Sequence, residues 1–320
     1  MRNKIEMKTG TLSEIGNALG NAPAHLGIGI FDGFHRGHAE IFSRAKNAAL
    51  ADGGICGALT FDPHPEVFFR GADALRLIYP LAVRLELFAN AGLDFAVKEP
   101  FTRELASVPA EKFLAFLKEK IPSLKSVYVG ENFRFGSRRG GNAEMLFELG
   151  NVLGISVNAV SPVKFSGEKI SSTRIRAALE SGEIAAANAM LSRNYFCAGE
   201  VIPGRQLGRT IGFPTLNIAW QPERLPRFGV YEVRLTFPRA GEVFRGIANY
   251  GVRPTVELGN VPAPLLEVHL LDFPAVATLP TNGDFVSVEW IRFIRPERRF
   301  PSIDALRAQL AEDVSVISKK

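Results

Sequence analysis

Asp32-Gly33-Phe34-His35-Arg36-Gly37-His38 follows the apolar run His25–Phe31 and precedes an amphipathic segment. Two glycines allow a tight turn there, and a helix starting at this point offers free N–H groups and a positive dipole end to an anion. His35 and His38 can then aim imidazole N–H groups at a bound phosphate, whereas zinc would need a third ligand that the neighbouring sequence lacks. A second anion-seeking set is Ser171-Ser172-Thr173, whose hydroxyls and N–H groups open a helix over Arg174–Ser181 while Arg176 adds charge one turn on. The third is the stretch 199–217, GEVIPGRQLGRTIGFPTLN, in which Gly204, Gly208 and Gly212 alternate with Arg205 and Arg209. It is not a Walker A loop, because no Gly-Lys-Ser or Gly-Lys-Thr follows. Read alone, it is equally a pair of turns. Finally, Leu265, Glu267 and His269 share one face of an alternating strand, with Leu266, Val268 and Leu270 on the other.

These groups need a scaffold. His25–Phe31, Ile55–Phe61, Ser126–Val129 and Ile155–Val160 read as strands. Between them, Gly37–Leu50, Leu81–Ala91, Pro109–Lys120 and Asn142–Leu149 read as helices, and the alternation implies a parallel sheet covered on both faces. In such a sheet ligands sit beyond the carboxyl ends of the strands, where the histidine turn falls. From about 195 to 295 the pattern becomes short strands between Pro/Gly turns, which indicates an antiparallel barrel. Ser302 then reads as an N-cap, and Ile303, Leu306, Leu310 and Val314 as the apolar stripe of a terminal helix. The expected boundary lies near 190, at the Ala-rich segment Glu183–Ser192, giving regions 1–190 and 191–320.

The 320 residues, 46% of them hydrophobic, suit two globular domains at ~150 residues each and exclude disordered, collagen-like or coiled-coil chains. Two cysteines far apart, Cys56 and Cys197, fit reduced structural thiols. No apolar run reaches the ~18 residues of a membrane span, and the first twenty residues lack a signal-like run, so a soluble cytoplasmic protein is expected. The net charge of +5 serves small anions or nucleic acid equally well.

The element His35-Arg36-Gly37-His38 after an apolar strand resembles the signature of the nucleotidylyltransferase superfamily. GIFDGFHRGH over 29–38 sharpens this to the FMN adenylyltransferase module of bacterial bifunctional FAD synthetases. Thr60-Phe61-Asp62-Pro63-His64-Pro65, Val129-Gly130-Glu131-Asn132-Phe133-Arg134-Phe135-Gly136 and Ile170-Ser171-Ser172-Thr173-Arg174-Ile175-Arg176 follow in family order. Pro214-Thr215-Leu216-Asn217 is similar to the riboflavin kinase signature. Gly246–Asn249, Gly251–Thr255, Leu266–Phe273 and Phe293–Phe300 resemble later kinase motifs.

The resemblance implies a doubly wound, Rossmann-like parallel-sheet domain, then an antiparallel β-barrel kinase domain with a terminal helix. It implies phosphorylation of riboflavin to FMN and adenylylation of FMN to FAD, with ATP as co-substrate and Mg²⁺ as cofactor. Phe31, Asp32, Gly33, His35, Gly37, His38, Asn132, Ser171, Ser172, Thr173 and Arg176 would bind ATP for adenylyl transfer. Gly204, Gly208, Arg209, Gly212, Pro214, Thr215 and Asn217 would bind it for the kinase step, Thr215 and Asn217 being hard oxygen donors suited to Mg²⁺. Asp62, Asn132, Glu267 and Arg295 would meet the flavin, although Arg292–Arg299 also reads as a solvated surface. His35, His38 and Arg176 would serve adenylyl transfer, and Glu267 would be the kinase base.

The partners implied are riboflavin, FMN and ATP, with no nucleic acid and no membrane, and with a weak homo-oligomer allowed. Arg138-Arg139-Gly140-Gly141 reads as a loop near the triphosphate; the competing readings are an RNA-binding tract and, for the whole chain, a nucleic-acid-binding protein. Two stretches depart from the family. Leu191-Ser192-Arg193-Asn194-Tyr195 alters the junction, and Pro274–Asp284 replaces a shorter turn. The second departure makes an adenylyltransferase with a degenerate kinase domain the alternative.

Overall fold

Ala24–Ile28 is buried along its whole length in the computed structural model, as a strand covered on both faces must be. The structure describes residues 6–204, 212–220, 226–239, 241–252, 264–271 and 279–318. The chain divides into two compact units, Met1–Ser172 and Thr173–Lys320.

The first unit runs β1 (Lys8–Gly10), α1 (Leu12–Ala18), β2 (Ala24–Ile28), α2 (Arg36–Asp52), β3 (Ile55–Asp62), α3 (Pro65–Arg70), α4 (Leu81–Asn90) and β4 (Phe95–Pro100). It continues with α5 (Arg103–Ser107), α6 (Ala110–Lys120), β5 (Leu124–Gly130), the ribbon β6 (Arg134–Phe135) and β7 (Gly141–Asn142), α7 (Ala143–Leu153) and β8 (Ser156–Val160). A ribbon of β9 (Lys164–Phe165) and β10 (Glu168–Lys169) leads to α8 (Ser172–Ser181), which crosses into the second unit.

The main sheet is parallel, in the order β1-β4-β3-β2-β5-β8. Strand order reverses between β2 and β5, so a crevice opens beyond their carboxyl ends, where the histidine turn begins. The expected strand to Phe31 stops at Ile28, because Phe31 has φ 55°, which no strand accommodates. Strand β4 escaped the pattern reading: only Phe95–Val97 are buried before the chain turns polar at Lys98. Pairing with β3 makes it a strand.

The second unit holds α9 (Ile184–Leu191), the strands β11 (Tyr195–Ile202), β12 (Thr215–Ala219), β13 (Gly229–Phe237), β14 (Glu242–Val252), β15 (Pro264–Leu270) and β16 (Phe285–Arg295), and α10 (Ile303–Ser318). The strands close an antiparallel barrel in the order β11-β12-β15-β14-β13-β16. Fully buried Trp290 lies edge-on to Tyr231 at 4.5 Å and to Tyr250 at 5.5 Å, so aromatic rings fill the barrel.

The compact second unit starts earlier than residue 191 because its helices bond to the barrel. Asn188 of α9 donates to Trp290 O at 2.8 Å and accepts from Tyr195 N at 2.7 Å, and Leu179 O of α8 accepts from Arg227 N at 3.0 Å. Ser302 caps α10 through Ala305 N at 3.1 Å. The stripe differs from expectation: Ile303 is 57% exposed, while Val314 and Ile317 pack with Val230 and Ile247. Asp313, inside that stripe, is buried against Arg295.

Candidate active sites

The first site grows from the end of β2. Phe31, Gly33 and Phe34 all take positive φ, which folds the chain sharply into α2. His35 is the N-cap of that helix: its Nδ1 accepts from His38 N at 3.4 Å, and its carbonyl accepts from His38 N and Ala39 N at 2.8 and 3.0 Å. That cap uses the Nδ1 lone pair, so the His35 proton belongs on Nε2. The rings of His35 and His38 stack 3.6 Å apart, and Phe31 meets His38 edge-on at 5.2 Å. His35 is 6% exposed, so its ring is held in place by packing.

Asp32 does not face outward. Its carboxylate accepts from Ile78 N at 2.9 and 3.1 Å and from Tyr79 N at 3.2 Å, while its carbonyl accepts from the Ser172 hydroxyl at 2.9 Å. Ser172 thus bonds the histidine turn within the first unit, whereas Thr173 and Arg176, next along α8, fall in the second. Gly33 and Gly37 lie within the turn and the first turn of α2, and Ser171 directly precedes α8.

A cavity of about 1260 Å³ opens beside Gly29 and Ile30. Phe61, Phe68, Phe101 and Phe133 wall it, with Asn132, Arg134 and Arg138 at its polar edge. Asp62 ends β3 and lies 3.9 Å from the guanidinium of Arg84. Sequence reasoning missed Arg84, which is wholly buried on α4 and donates to Ile30 O at 2.7 Å and Thr60 Oγ1 at 2.9 Å. The available signal was a charge between Leu81 and Phe88 on an apolar helical face.

The second site is a row across three barrel strands. Asn217 of β12 stands opposite Glu267 of β15, and Glu267 stands opposite Asn249 of β14. Thr215 pairs with His269 one step along the same face, and His269 Nδ1 bonds Pro214 O at 2.8 Å. Asn217 is 6% exposed because Gly204 lies on its amide; a Cβ there would come 1.9 Å from Nδ2. Only glycine permits that approach. Glu297, another group that sequence reasoning did not single out, accepts from Asn249 Nδ2 at 3.2 Å and lies over Gly251.

Two family models match the chain, FAD synthetase over residues 20–174 and riboflavin kinase over residues 191–320. Among curated relatives, the bifunctional riboflavin kinase/FMN adenylyltransferase of Haemophilus influenzae is 35% identical, covering 90% of this chain and 91% of its own. The protein of the same description from Escherichia coli K12 is 34% identical, covering 90% of each chain. The chain belongs to the bifunctional riboflavin kinase/FMN adenylyltransferase family.

A crystal structure described as a macrolide-efflux protein from Streptococcus pneumoniae is similar over 97% of this chain and 98% of its own, with TM-score 0.84 and 29% identity. Among the described residues, no helix is long and apolar enough to cross a membrane.

Set against the family's motifs, the residues expected at the adenylyl-transfer site gather unevenly. His35 and His38 touch each other, and Asn132 lines the aromatic cavity. The Asp32 carboxylate instead anchors the loop ahead of α4. In the riboflavin kinase region, Thr215, Asn217 and Glu267 share one face. Arg295 bonds Asp313 bidentately at 2.7–3.0 Å, which commits its guanidinium to holding α10. Gly212 and Pro214 lead into β12, and Gly204 touches Asn217. Gly208 and Arg209 lie outside the described residues, as do residues 274–278 of the departing loop.

Proposed function

We propose that this bifunctional enzyme makes FMN at the barrel face carrying Glu267 and FAD at the histidine turn, with different chemistry at each. One observation supports the division: the stacked histidines and the Asn217–Glu267 pair belong to separate compact units.

In the first unit, the FMN phosphate carries nearly two negative charges, its second pKa being near ~6, and needs no base. One of its oxygens attacks the α-phosphorus of ATP, the bond to the β-phosphate oxygen breaks, and pyrophosphate leaves. Alignment and charge neutralisation are what the protein must supply. His35 Nε2–H, His38, the α2 N-terminus, Ser171 and Ser172 are the groups of this unit that serve it, and the family's motif adds Thr173 and Arg176. The aromatic cavity suits the flavin ring, with Asn132 at its polar margin, and Asp62 follows the lining residue Phe61 at the end of β3.

In the second unit the nucleophile is a neutral alcohol, and Glu267 takes its proton as the hydroxyl oxygen attacks the γ-phosphorus and ADP departs. Thr215 and Asn217 fit a hard divalent cation: both are oxygen donors, beside the Glu267 carboxylate, with the Asn217 amide cradled by Gly204. Mg²⁺ bound there would neutralise phosphate charge. Among the described residues, no group of three or more His, Cys, Asp or Glu could hold a metal. The reading implies a cytoplasmic enzyme of small molecules, working without nucleic acid.

The test is incubation of pure protein with riboflavin, ATP and Mg²⁺, followed by separation of FMN and FAD. Both products are expected. FAD from supplied FMN, with nothing from riboflavin, would leave only the adenylyltransferase half.

A further inference from the structure

Arg84 puts a charged group where α4 should be apolar. It has no exposed surface, so its charge carries a desolvation penalty that only close polar partners offset. Those partners are the carboxyl ends of the two central strands. Its Nη1 donates to Ile30 O at 2.7 Å and Thr60 Oγ1 at 2.9 Å, and Thr60 donates to the same Ile30 carbonyl at 2.9 Å. Its Nη2 lies 3.9 Å from Asp62.

Ile30 immediately precedes Phe31, the first of the three positive-φ residues, with Gly33 and Phe34, that turn the chain toward His35 and His38. Two residues on, Asp32 is gripped by Ile78 N and Tyr79 N, just ahead of α4. The segment Ile78–Arg84 therefore pins the histidine turn at two points, and Arg84 alone also reaches Asp62 on β3. A buried methionine would fill the same space without the desolvation cost, so stability does not account for a guanidinium here.

We propose that Arg84 is a positioning residue for adenylyl transfer, fixing the histidine turn at Ile30 and holding Asp62 in register with it. The two histidines and the end of β3, where Phe61 lines the aromatic cavity, are then set relative to one another. This rests on the adenylyl-transfer reading of the first unit.

The test measures kcat and KM for FMN and ATP in Arg84→Met, Arg84→Lys and Thr60→Val, with thermal melting as the folding control and FMN formation from riboflavin as the check that the second unit is unaffected. A turn displaced by about 1 Å costs roughly 100-fold. Arg84→Met is therefore expected to lose about that factor in kcat for FAD formation, with a raised KM for FMN and unchanged kinase activity. Arg84→Lys keeps the Ile30 contact but lacks the fork, and should recover part of kcat. Thr60→Val should lose several-fold. If Arg84→Met melts lower yet keeps kcat and both KM values within about twofold, the residue is structural and the proposal fails. Should Arg84→Met not fold, Arg84→Lys and Thr60→Val decide: wild-type kinetics in both overturns it. A wild-type protein that makes no FAD from FMN would overturn the adenylyl reading instead.

Discussion

Gly204→Ala is the sharpest test of the barrel site. The new methyl would arrive 1.9 Å from Asn217 Nδ2 and 2.8 Å from its Cγ. Carbon and nitrogen atoms settle near ~3.5 Å, so the amide must retreat by roughly 1.5 Å or more. Asn217 is buried and paired in register with Glu267, so any retreat carries its oxygen away from the base. A misplacement of about 1 Å at a reacting centre costs roughly 100-fold in rate, or about 2.7 kcal/mol of barrier. FMN formation from riboflavin should therefore fall about 100-fold in kcat/KM, while FAD formation from FMN stays at the wild-type rate. Asn217→Ala should cost a similar factor, and combining both changes should cost little more, because they act through one amide. Kinase activity within about threefold of wild type in Gly204→Ala, or losses that simply multiply in the double variant, would refute the argument.

Two further substitutions separate the chemistries. Glu267→Gln should cripple FMN formation while FMN still becomes FAD, and His38→Ala should do the reverse and halt at FMN; product separation checks both. The thiols should be silent. Burial pushes Cys56 up to about 12, and pushes Cys197 up to about 12 against the opposing Trp290 hydrogen bond. Neither should react with a disulfide reagent at pH 8 in the native protein, and both should react in denaturant. Acid should expose one more contribution. The Thr281 N–H, then its hydroxyl, hold Asp284 below the ordinary carboxylate range, with burial opposing and Arg239 assisting. A depressed carboxyl stabilises fully above its unfolded pKa of ~3.9 and loses that contribution as pH falls through its native value. Asp284→Asn should thus melt below wild type at pH 7, with the gap closing below about pH 4.

Much of the molecule was readable before its coordinates. The apolar run ending in Asp32–His38, the helix after it and the alternation around Glu267 each depend on local spacing, and periodicity reports local spacing faithfully. The ladder that sets Asn217, Glu267 and Asn249 abreast joins segments distant in sequence, and no pattern within one segment specifies register between two. Asp32 shows the limit most plainly. Its place in a phosphate-seeking turn pointed to the ligand, yet two N–H groups more than forty residues on take up its carboxylate.

By itself, the sequence placed the candidate groups: histidines at a helix start, where an anion could bind, and a carboxylate on an alternating strand. Tertiary structure decided which groups meet. Arg84, Glu297 and the Gly204–Asn217 contact became visible only when remote strands and helices closed on one another. Arg295 likewise passed from a surface cation to the partner of buried Asp313. The reason is physical: side-chain type and spacing are local properties, whereas burial and hydrogen-bond partnership depend on long-range packing.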